Sequence, residues 1–385
     1  AVVLAFLTVV FLRVIPKEIS EMIQEYVLNM IYNYASRFLM ALVSPMMFFA
    51  VIGGVISVGS PRYLQQNGKL ICRRFLLHIL GINLLAGILC AGIFTFQPTF
   101  KLDQGETRFL SFLSEIIPQD IVSPFIECNM IQIIFMGVVI GVAMLFLQKQ
   151  VKTLNRAVRE VNVLICKIIN GFETVIMLFL YLGMVNVGMS LNLSGIRSLG
   201  KMILVFNTFI IGIIIIELVV TARKLDISSR DLWESLKSTA IAQVCSASSS
   251  VAFNEAYEVC EQGFKVDKKF VEFALPIGTV MHKPFIAAEF VFMAAALMTI
   301  TGQSLDVSNM LLLLIVTFVV SIAYPPVSGG EMICYTILLA QMGLPSQVLA
   351  IACSLSSILD FLEAPANTLS TQFQLLIAAK KTGKI

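Results

Sequence analysis

The 385-residue chain is 58% hydrophobic and only 13% charged, and its mean hydropathy is +0.89. Soluble domains are about 45–50% apolar and about 25% charged, so a water-soluble fold of this size could not cover so much apolar surface. The net charge of +3 indicates no particular partner. No basic run with interleaved aromatic residues suggests nucleic-acid binding. The composition therefore predicts an all-α polytopic membrane protein in contact with lipid, whose spanning helices need about 20 mostly apolar residues each.

None of the eight cysteines belongs to a CxxC pair, and most lie in apolar runs. We interpret them as small buried hydrophobic side chains, not as disulfides or metal ligands. No cofactor and no bound metal are expected. The chain begins at Ala1 within an apolar stretch that no A-x-A-like site follows. We therefore do not interpret residues 1–12 as a cleaved signal.

The apolar segments, in chain order, are 1–15, 35–58, 75–97, 129–147, 161–187, 202–220, 268–300, 309–323 and 346–379. Two stretches, 231–262 and 306–345, are moderately apolar but are interrupted at Cys245–Ser250 and at Tyr324–Gly330. The second interruption contains two adjacent prolines, which stop a helix. Each stretch is predicted to form a helix–tip–helix hairpin that dips into the membrane, with its tip covered by protein or water. Two such elements point to a binding site between them.

Basic residues distinguish the two sides of the membrane. Lys and Arg are concentrated in the C-terminal tail and in the connections 59–74, 148–167, 221–230 and 263–269. The connections 301–309 and 343–347 contain neither. Because cytoplasmic loops carry the excess of Lys and Arg, we place the basic connections and the C-terminus in the cytoplasm. The hairpin 231–262 must then enter from the cytoplasmic face and 306–345 from the outer face, so the two form an inverted pair.

The order of several short motifs resembles the dicarboxylate/amino acid:cation symporters, the family of the glutamate and aspartate transporters. These motifs are Leu42–Pro45, Ser248–Ser250, Leu275–Gly278, Ser321–Ile322 with the glycine-rich tip, and Ile358–Asp360 with Asn367. The resemblance extends over nearly the whole chain. It implies eight transmembrane helices plus two re-entrant helical hairpins, with inverted repeats, assembled as a homotrimer in the plasma or inner membrane. It also implies secondary active transport of a small-molecule substrate.

The resemblance further implies a division of the chain into a scaffold and a mobile transport domain. The scaffold would comprise residues 1–70, with helices 1 and 2, and residues 98–190, with helices 4 and 5. The transport domain would comprise helix 3 (71–97) and residues 191–385, which contain helix 6, the first hairpin, helix 7, the second hairpin and helix 8. This domain would slide across the membrane as an elevator with the substrate held between the hairpin tips.

The two hairpin tips are candidate substrate-binding elements. Ser248, Ser249 and Ser250 match the serine-rich first tip of the family, where N–H groups and hydroxyls can hold a carboxylate as helix N-termini do. The second tip would close over the substrate and offer backbone groups; its candidate residues are Pro326, Val327, Ser328 and Gly329. The alternative is a plain serine-rich turn at the first tip and a structural break at the second.

Two residues near the end of the chain match the substrate site of the family. Asp360 matches the aspartate that meets the substrate's amino group, and an acid within a membrane helix costs about 2.5–3.5 kcal/mol and usually signals function. Asn367, about two helical turns later, matches the asparagine that binds the α-carboxylate. The alternative for Asn367 is an interhelical hydrogen bond.

Glu363 departs from the family pattern. Transporters of acidic substrates carry an arginine at this position, which binds the side-chain carboxylate in a bidentate manner; a glutamate would repel it. Glu363 shares a helical face with Asp360, so either the two acids meet a cation or one of them binds a proton. We therefore expect L-glutamate, L-aspartate and C4-dicarboxylates to be poor substrates, and a neutral or cationic amino compound to fit better.

The predicted seventh helix also departs from the family. The stretch His282–Ile286 matches the Asn-Met-Asp-Gly-Thr signature that supplies sodium ligands, but Lys283 and Pro284 cannot replace an aspartate. Thr371 stands where the family has its last sodium-binding aspartate, and hard cations need oxygen ligands. His78 falls near an expected sodium-site hydroxyl pair. Two histidines could carry protons near neutral pH, Lys283 could act as a fixed charge, or each histidine could be a hydrogen-bonded core residue. We hypothesise weakened or absent sodium coupling, with H⁺ or Na⁺ left open as the coupling ion and facilitated exchange as an alternative.

Other functions remain compatible with the sequence. One is a standard sodium symporter for dicarboxylates or acidic amino acids. Another is a non-transporting membrane sensor or degenerate homologue, which the missing sodium ligands favour but the retained Asp360 and Asn367 do not. The chain has no HExxH or GxSxG motif and no paired catalytic His/Asp set, so we do not expect an enzyme.

Overall fold

The computed structural model describes residues 2–23, 26, 28, 30–31, 34, 44–45, 47–49, 51–53, 55–56, 68–94, 96–97, 116–127, 129–147, 150–171, 178, 181–182, 184–185, 188–189, 193–246, 249–324 and 330–385. The helices within these ranges are α1 (Val2–Val14), α2 (Lys17–Ile23), α3 (Lys69–Ile93), α4 (Ser123–Ile126), α5 (Met130–Phe146), α6 (Lys152–Gly171), α7 (Leu193–Leu225), α8 (Ser229–Ser246), α9 (Ser249–Glu258), α10 (Lys268–Met281), α11 (Pro284–Ile300), α12 (Val307–Ile322), α13 (Gly330–Met342) and α14 (Leu349–Lys381). A π-helical turn (Val259–Gly263) follows α9, and a 3-10 turn (Ser346–Val348) precedes α14.

Several described helices are long and apolar enough to cross a membrane. They are Lys69–Ile93, Arg197–Leu225, Lys268–Ile300 (which combines α10 and α11) and Leu349–Lys381, with the shorter apolar helices Gln132–Phe146 and Val307–Ile322 beside them. This confirms the predicted multi-pass, helical membrane protein. The count of eight spanning helices and the elevator arrangement stay predictions.

Some boundaries and elements differ from the sequence interpretation. The helix α6 begins at Lys152, so it includes the start of the predicted segment 161–187. One face of this helix is charged, and Arg156 and Glu160 form an ion pair on it. The predicted segment 268–300 is two helices with a break between them. Two short strands, β1 (Phe96–Gln97) and β2 (Leu305–Asp306), pair in parallel within an otherwise helical fold. Runs of two residues are too short to produce a recognisable strand pattern.

Both stretches predicted to form hairpins contain two packed helices. The helices α8 and α9 contact each other, as do α12 and α13. Their interruptions fall between Ser246 and Ser249 and between Ile322 and Gly330, where the sequence predicted them. Both arms of the first pair and α13 of the second also contact α14. The last helix is therefore positioned to line any site between the two pairs.

The basic connections meet at one end of the helix bundle. Lys380 of the tail forms an ion pair with Asp226, at 3.4 Å, in the connection after α7. The backbone N–H of Asp267, before α10, donates to the carbonyl of Lys384 at 2.9 Å. The first helix pair begins beside this end, because α8 starts three residues after Asp226.

The connections without Lys and Arg meet elsewhere. Gln303 Nε2 donates to the carbonyl of Gly343 at 2.8 Å, which joins the segment before α12 to the segment after α13. The second helix pair therefore starts and finishes where the poorly charged connections meet. The inverted orientation of the two pairs stays a prediction from the charge distribution.

The helix α11 forms the centre of the described bundle. Every residue from Pro284 to Met298 is buried, and α11 contacts α3, α7, α12 and α14. In the Lys268–Ile300 span 83% of the most apolar stretch is buried, against 22% in Arg197–Leu225, so α7 exposes most of its apolar surface. The alanines at 287–288 and 294–296 allow neighbouring backbones to approach closely, as interfaces between membrane helices require.

Gly278 occupies a tight crossing where an added methyl group would clash. A Cβ at this position would lie 2.3 Å from Thr371 Cγ2 and 3.1 Å from Phe75 Cζ. We expect Gly278→Ala to lower the free energy of unfolding by about 1–3 kcal/mol, as overpacking does. Thermal unfolding of the purified protein in detergent measures this effect.

The control is Gly212→Ala, because no atom lies within 4 Å of a Cβ built there. Alanine is the better helix former by about 0.8–1.0 kcal/mol, so this variant should melt at or above the wild-type temperature. Equal melting temperatures for Gly278→Ala and the wild type would contradict the packing argument.

Candidate functional site

The central span is broken at His282 and Lys283, and the local sequence explains why. Pro284 has no N–H group and disfavours helical geometry in the residue before it. Lys283 accordingly has φ −123° and ψ 60°, outside the helical range, and Pro284 becomes the first residue of α11. Proline is well tolerated at that position. The break leaves helix-terminal N–H groups in the interior of the bundle, where each needs a partner.

Asn367 of α14 supplies one of these partners. Its Oδ1 accepts a hydrogen bond from the backbone N–H of Phe285 at 3.0 Å. Its Nδ2 donates to Glu363 Oε1 at 2.6 Å. The side chain therefore makes the interhelical hydrogen bond that was one of the two sequence interpretations. It also lines the cavity described next, so it reaches both the start of α11 and the candidate binding space.

A cavity of about 410 Å³ lies against this break. The first helix pair contributes Gln243 and Phe253, and the second contributes Tyr324 and Glu331. The floor is made by the break between α10 and α11 and by α14; its lining residues include Thr279, His282, Lys283, Asp360, Glu363, Asn367, Thr368 and Thr371. A space of this size accommodates a small organic molecule.

Carboxyl groups outnumber cations in the described lining of this cavity. Asp360, Glu363 and Glu331 line it, and Lys283 is the single ammonium group among the described lining residues. Glu363 is buried, whereas Asp360 is exposed towards the cavity. The cavity therefore favours a ligand that brings positive charge or a donor-rich amino group.

A further buried acid, Glu289, lies behind the cavity lining. Tyr335 Oη donates to Glu289 Oε1 at 2.5 Å, and both residues are buried. Glu289 is also within hydrogen-bonding reach of Glu363. Two carboxyl groups this close repel each other when both are ionised, and the Tyr335 hydroxyl provides the pair with one hydrogen-bond donor. The sequence had assigned no role to Glu289.

The two histidines of the chain are in direct contact. His78 Nδ1 lies 3.0 Å from His282 Nε2, and His282 Nδ1 lies 3.0 Å from Thr371 Oγ1. On the other side of the His78 ring, Nε2 contacts Glu217 Oε1. The side chains of Thr371, His282, His78 and Glu217 thus form a continuous row of contacts. The row therefore joins α7, α3, the break and α14. It brings together three of the four residues that the sequence suggested for ion coupling.

The positions that match sodium ligands in the family carry other chemistry. Thr371 donates its hydroxyl hydrogen to the carbonyl of Asn367 at 2.9 Å, and its oxygen faces His282. Lys283 brings a positive charge to the same region. No group of three or more His, Cys, Asp or Glu side chains in the described ranges has metal-binding geometry.

The structure places the remaining predicted residues as follows. Ser248 and residues 326–329 lie outside the described residues. Ser249 and Ser250 begin α9, the second arm of the first helix pair. The seven other candidates form one connected site around the break; they are His78, His282, Lys283, Asp360, Glu363, Asn367 and Thr371.

The fold brings two further acids into this region, of which sequence reasoning missed Glu217 and left Glu331 without a role. Glu217 contacts His78, and Glu331 lines the cavity. Each is an acid within an apolar segment, which was an available signal because such residues are costly in a membrane. The contact partners could not be foreseen, because Glu217 and His78 are far apart in the chain.

Comparisons with known proteins agree with this architecture. A profile of the Sodium:dicarboxylate symporter family matches residues 2–381. The chain is also similar to the proton/sodium-glutamate symport protein of Geobacillus stearothermophilus, with 22% identity over 369 residues. That alignment covers 90% of this chain and 86% of the relative.

Lys283 balances part of the negative charge in the cavity, so its removal has a predictable dependence on pH. We expect Lys283→Met to lower the free energy of unfolding by about 0.5–3 kcal/mol at mildly alkaline pH. The loss should shrink at mildly acidic pH, where protonation removes the repulsion among Asp360, Glu363 and Glu331. Thermal unfolding at the two pH values measures the difference.

Lys237→Met is the matched control, since this lysine is partly exposed and pairs with Glu234 one helical turn away. Exposed pairs of this kind contribute about 0–1 kcal/mol. The control should show no pH-dependent loss. A loss for Lys283→Met of the same size at both pH values would contradict the electrostatic role.

Proposed function

Since the chain belongs to the sodium:dicarboxylate symporter family, we propose that it carries a small neutral or cationic amino compound across the membrane with altered sodium coupling. Family membership and the apolar helices establish the coarser statement, a multi-pass membrane symporter. The substrate class, the coupling ion and the mechanism of movement are the proposal. Localisation in the cell membrane, with the C-terminus in the cytoplasm, belongs to it as well.

The observation that carries the substrate proposal is the charge of the cavity lining. Three carboxyl groups face one lysine among the described lining residues. An acidic amino acid or dicarboxylate would bring one or two further negative charges into this space, at large cost in a poorly hydrated site. An amino group would instead bind between Asp360 and Glu363. Lys283 remains available for a single carboxylate.

The ion-coupling proposal is supported by the chemistry of the residues around the break. Sodium is held by clustered oxygen ligands, and the stretch 282–286 contributes imidazole, ammonium and apolar side chains. The contact between His78 and His282 joins two imidazole rings, each of which can accept a hydrogen at one ring nitrogen and donate one at the other. We therefore favour coupling to protons, or exchange without sodium, over coupling to sodium.

The proposed movement follows the family resemblance. The inverted helix pairs and α14 surround the cavity, and α7 exposes much of its apolar surface. We propose that these elements move together as an elevator within a homotrimer. The division into scaffold and transport domain is the one given by the sequence, with 1–70 and 98–190 as scaffold.

A standard transporter of acidic amino acids is the second candidate, and one observation favours it. The relative from Geobacillus stearothermophilus is a glutamate symport protein that uses protons or sodium. The two candidates differ in the charge of the ligand, so a binding screen separates them. A fold retained without transport would bind neither class of ligand.

A thermal-shift screen identifies the ligand class. A ligand that binds only the folded state at about 100 times its Kd adds about 2.7 kcal/mol of stability. We expect neutral or cationic amino acids or polyamines to raise the melting temperature of the purified protein, and aspartate, glutamate and C4-dicarboxylates to have little effect. Asp360→Asn should abolish the shift, while Asp231→Asn, exposed in the first turn of α8, should retain it.

Transport itself tests both halves of the proposal. In proteoliposomes, counterflow of radiolabelled aspartate should be weak, whereas counterflow of an amino compound found in the screen should be strong. Replacing sodium with choline at constant pH should leave that uptake largely intact, because the ligand chemistry for sodium is missing at the break. Robust aspartate counterflow, or uptake that collapses in choline, would refute the corresponding half.

A further inference from the structure

We propose that Glu217, His78 and His282 form a proton-binding row that connects the candidate substrate cavity to a second cavity at the basic end of the bundle. The row holds one exchangeable proton at the contact between His78 and Glu217. When this proton is bound, both histidines carry a hydrogen on Nδ1. When it is released, both carry their hydrogen on Nε2. This inference rests on the proposed proton coupling and assigns it to specific atoms.

The two histidines face different spaces. His282 lines the 410 Å³ cavity that contains Asp360 and Glu363. His78 lines another cavity of about 300 Å³, together with Arg73, Arg74 and Lys381. The imidazole rings touch each other between these spaces. A proton that crosses this contact therefore passes from one cavity to the other without crossing apolar protein.

The hydrogen bonds of the row have a definite direction when the proton is loaded. The hydroxyl hydrogen of Thr371 goes to the carbonyl of Asn367, so Thr371 Oγ1 accepts from His282 Nδ1–H. The other ring nitrogen of His282, Nε2, must then accept from His78 Nδ1–H. This leaves His78 Nε2 facing a carboxyl oxygen of Glu217. A carboxylate cannot donate, so a proton must lie between these two atoms.

Without that proton, every bond of the row can run in the opposite direction. His78 Nε2–H donates to the Glu217 carboxylate, and His282 Nε2–H donates to His78 Nδ1. The hydroxyl of Thr371 then donates to His282 Nδ1. The two states differ by one proton, which enters at Glu217 and His78 and leaves from His282. No other group gains or loses a hydrogen.

The groups around the row stabilise its unloaded state, in which Glu217 is an ionised carboxylate. Glu217 is buried, accepts a hydrogen bond from Ser370 at 3.1 Å, and has an Oε2 atom without a partner among the described residues. An ionised carboxylate in that position needs a nearby positive charge. The cationic groups that face the row are Arg74 on α3, which binds Gln374 at 2.8 Å, Arg73 and Lys381 across the second cavity, and Lys283 beside His282.

Nitrogen-15 NMR of histidine tests the row directly, because the chain contains only these two histidines. Protein labelled at both ring nitrogens is titrated in detergent or lipid. We expect a single pH transition in which both rings exchange their protonated nitrogen together, from Nδ1–H in the loaded state to Nε2–H in the unloaded state. A coupling across the His78 Nδ1–His282 Nε2 hydrogen bond should be visible in both states.

Variants separate the row from general effects of the membrane environment. Glu217→Gln removes the titrating partner and should abolish the concerted transition. The control Glu160→Gln, on the exposed face of α6, should leave it unchanged. His78→Gln should remove the pH response of the tautomer at His282. Rings that titrate independently, or a transition that survives Glu217→Gln, would overturn the proposal.

The NMR measurement does not depend on the transported compound, so the two proposals can fail separately. A concerted transition without any amino-compound shift in the thermal screen would support the proton row and refute the proposed substrate class. Substrate-dependent stabilisation in a protein whose histidines keep fixed tautomers at all pH values would refute the row alone.

Discussion

The interruption of the most buried helix is the constraint from which the rest of the site follows. Pro284 ends one helix and begins another inside the bundle, so free backbone groups appear where no water can satisfy them. Asn367 satisfies the N–H of Phe285, and this bond fixes α14 against α11. The same interruption turns His282 and Lys283 out of the helical path and into the cavity. One proline thereby positions the cavity floor, the cation and the histidine row.

Both helix pairs contribute to the site. The first pair begins near the basic end of the bundle, and the second begins where the poorly charged connections meet. Each pair contributes side chains to the cavity close to its interruption. The cavity therefore lies between the two interruptions, which is where broken membrane helices commonly form a binding site.

The described lining of the site combines carboxyl groups, an imidazole ring and one lysine. The resemblance to the family predicts sodium ligands where His282 and Lys283 lie, and an arginine where Glu363 lies. Buried acids need either a proton or a cation nearby. The negative charge of these acids can be balanced by protons, by an amino group of the ligand or by Lys283. Substrate and coupling ion are therefore expected to influence each other's binding.

The sequence by itself determined the membrane location, the interrupted helix pairs and the family. These follow from composition, proline and glycine positions, and the distribution of Lys and Arg, all of which act locally along the chain. It also pointed to Asp360, Glu363 and Asn367, chiefly through the resemblance to the symporter family, and for Asp360 also because an acid within a membrane helix is costly. Only the tertiary structure decided which of these groups meet. The contact of His78 with His282 and Glu217 joins residues from three distant segments, and no local pattern records such a contact because it depends on how the helices pack.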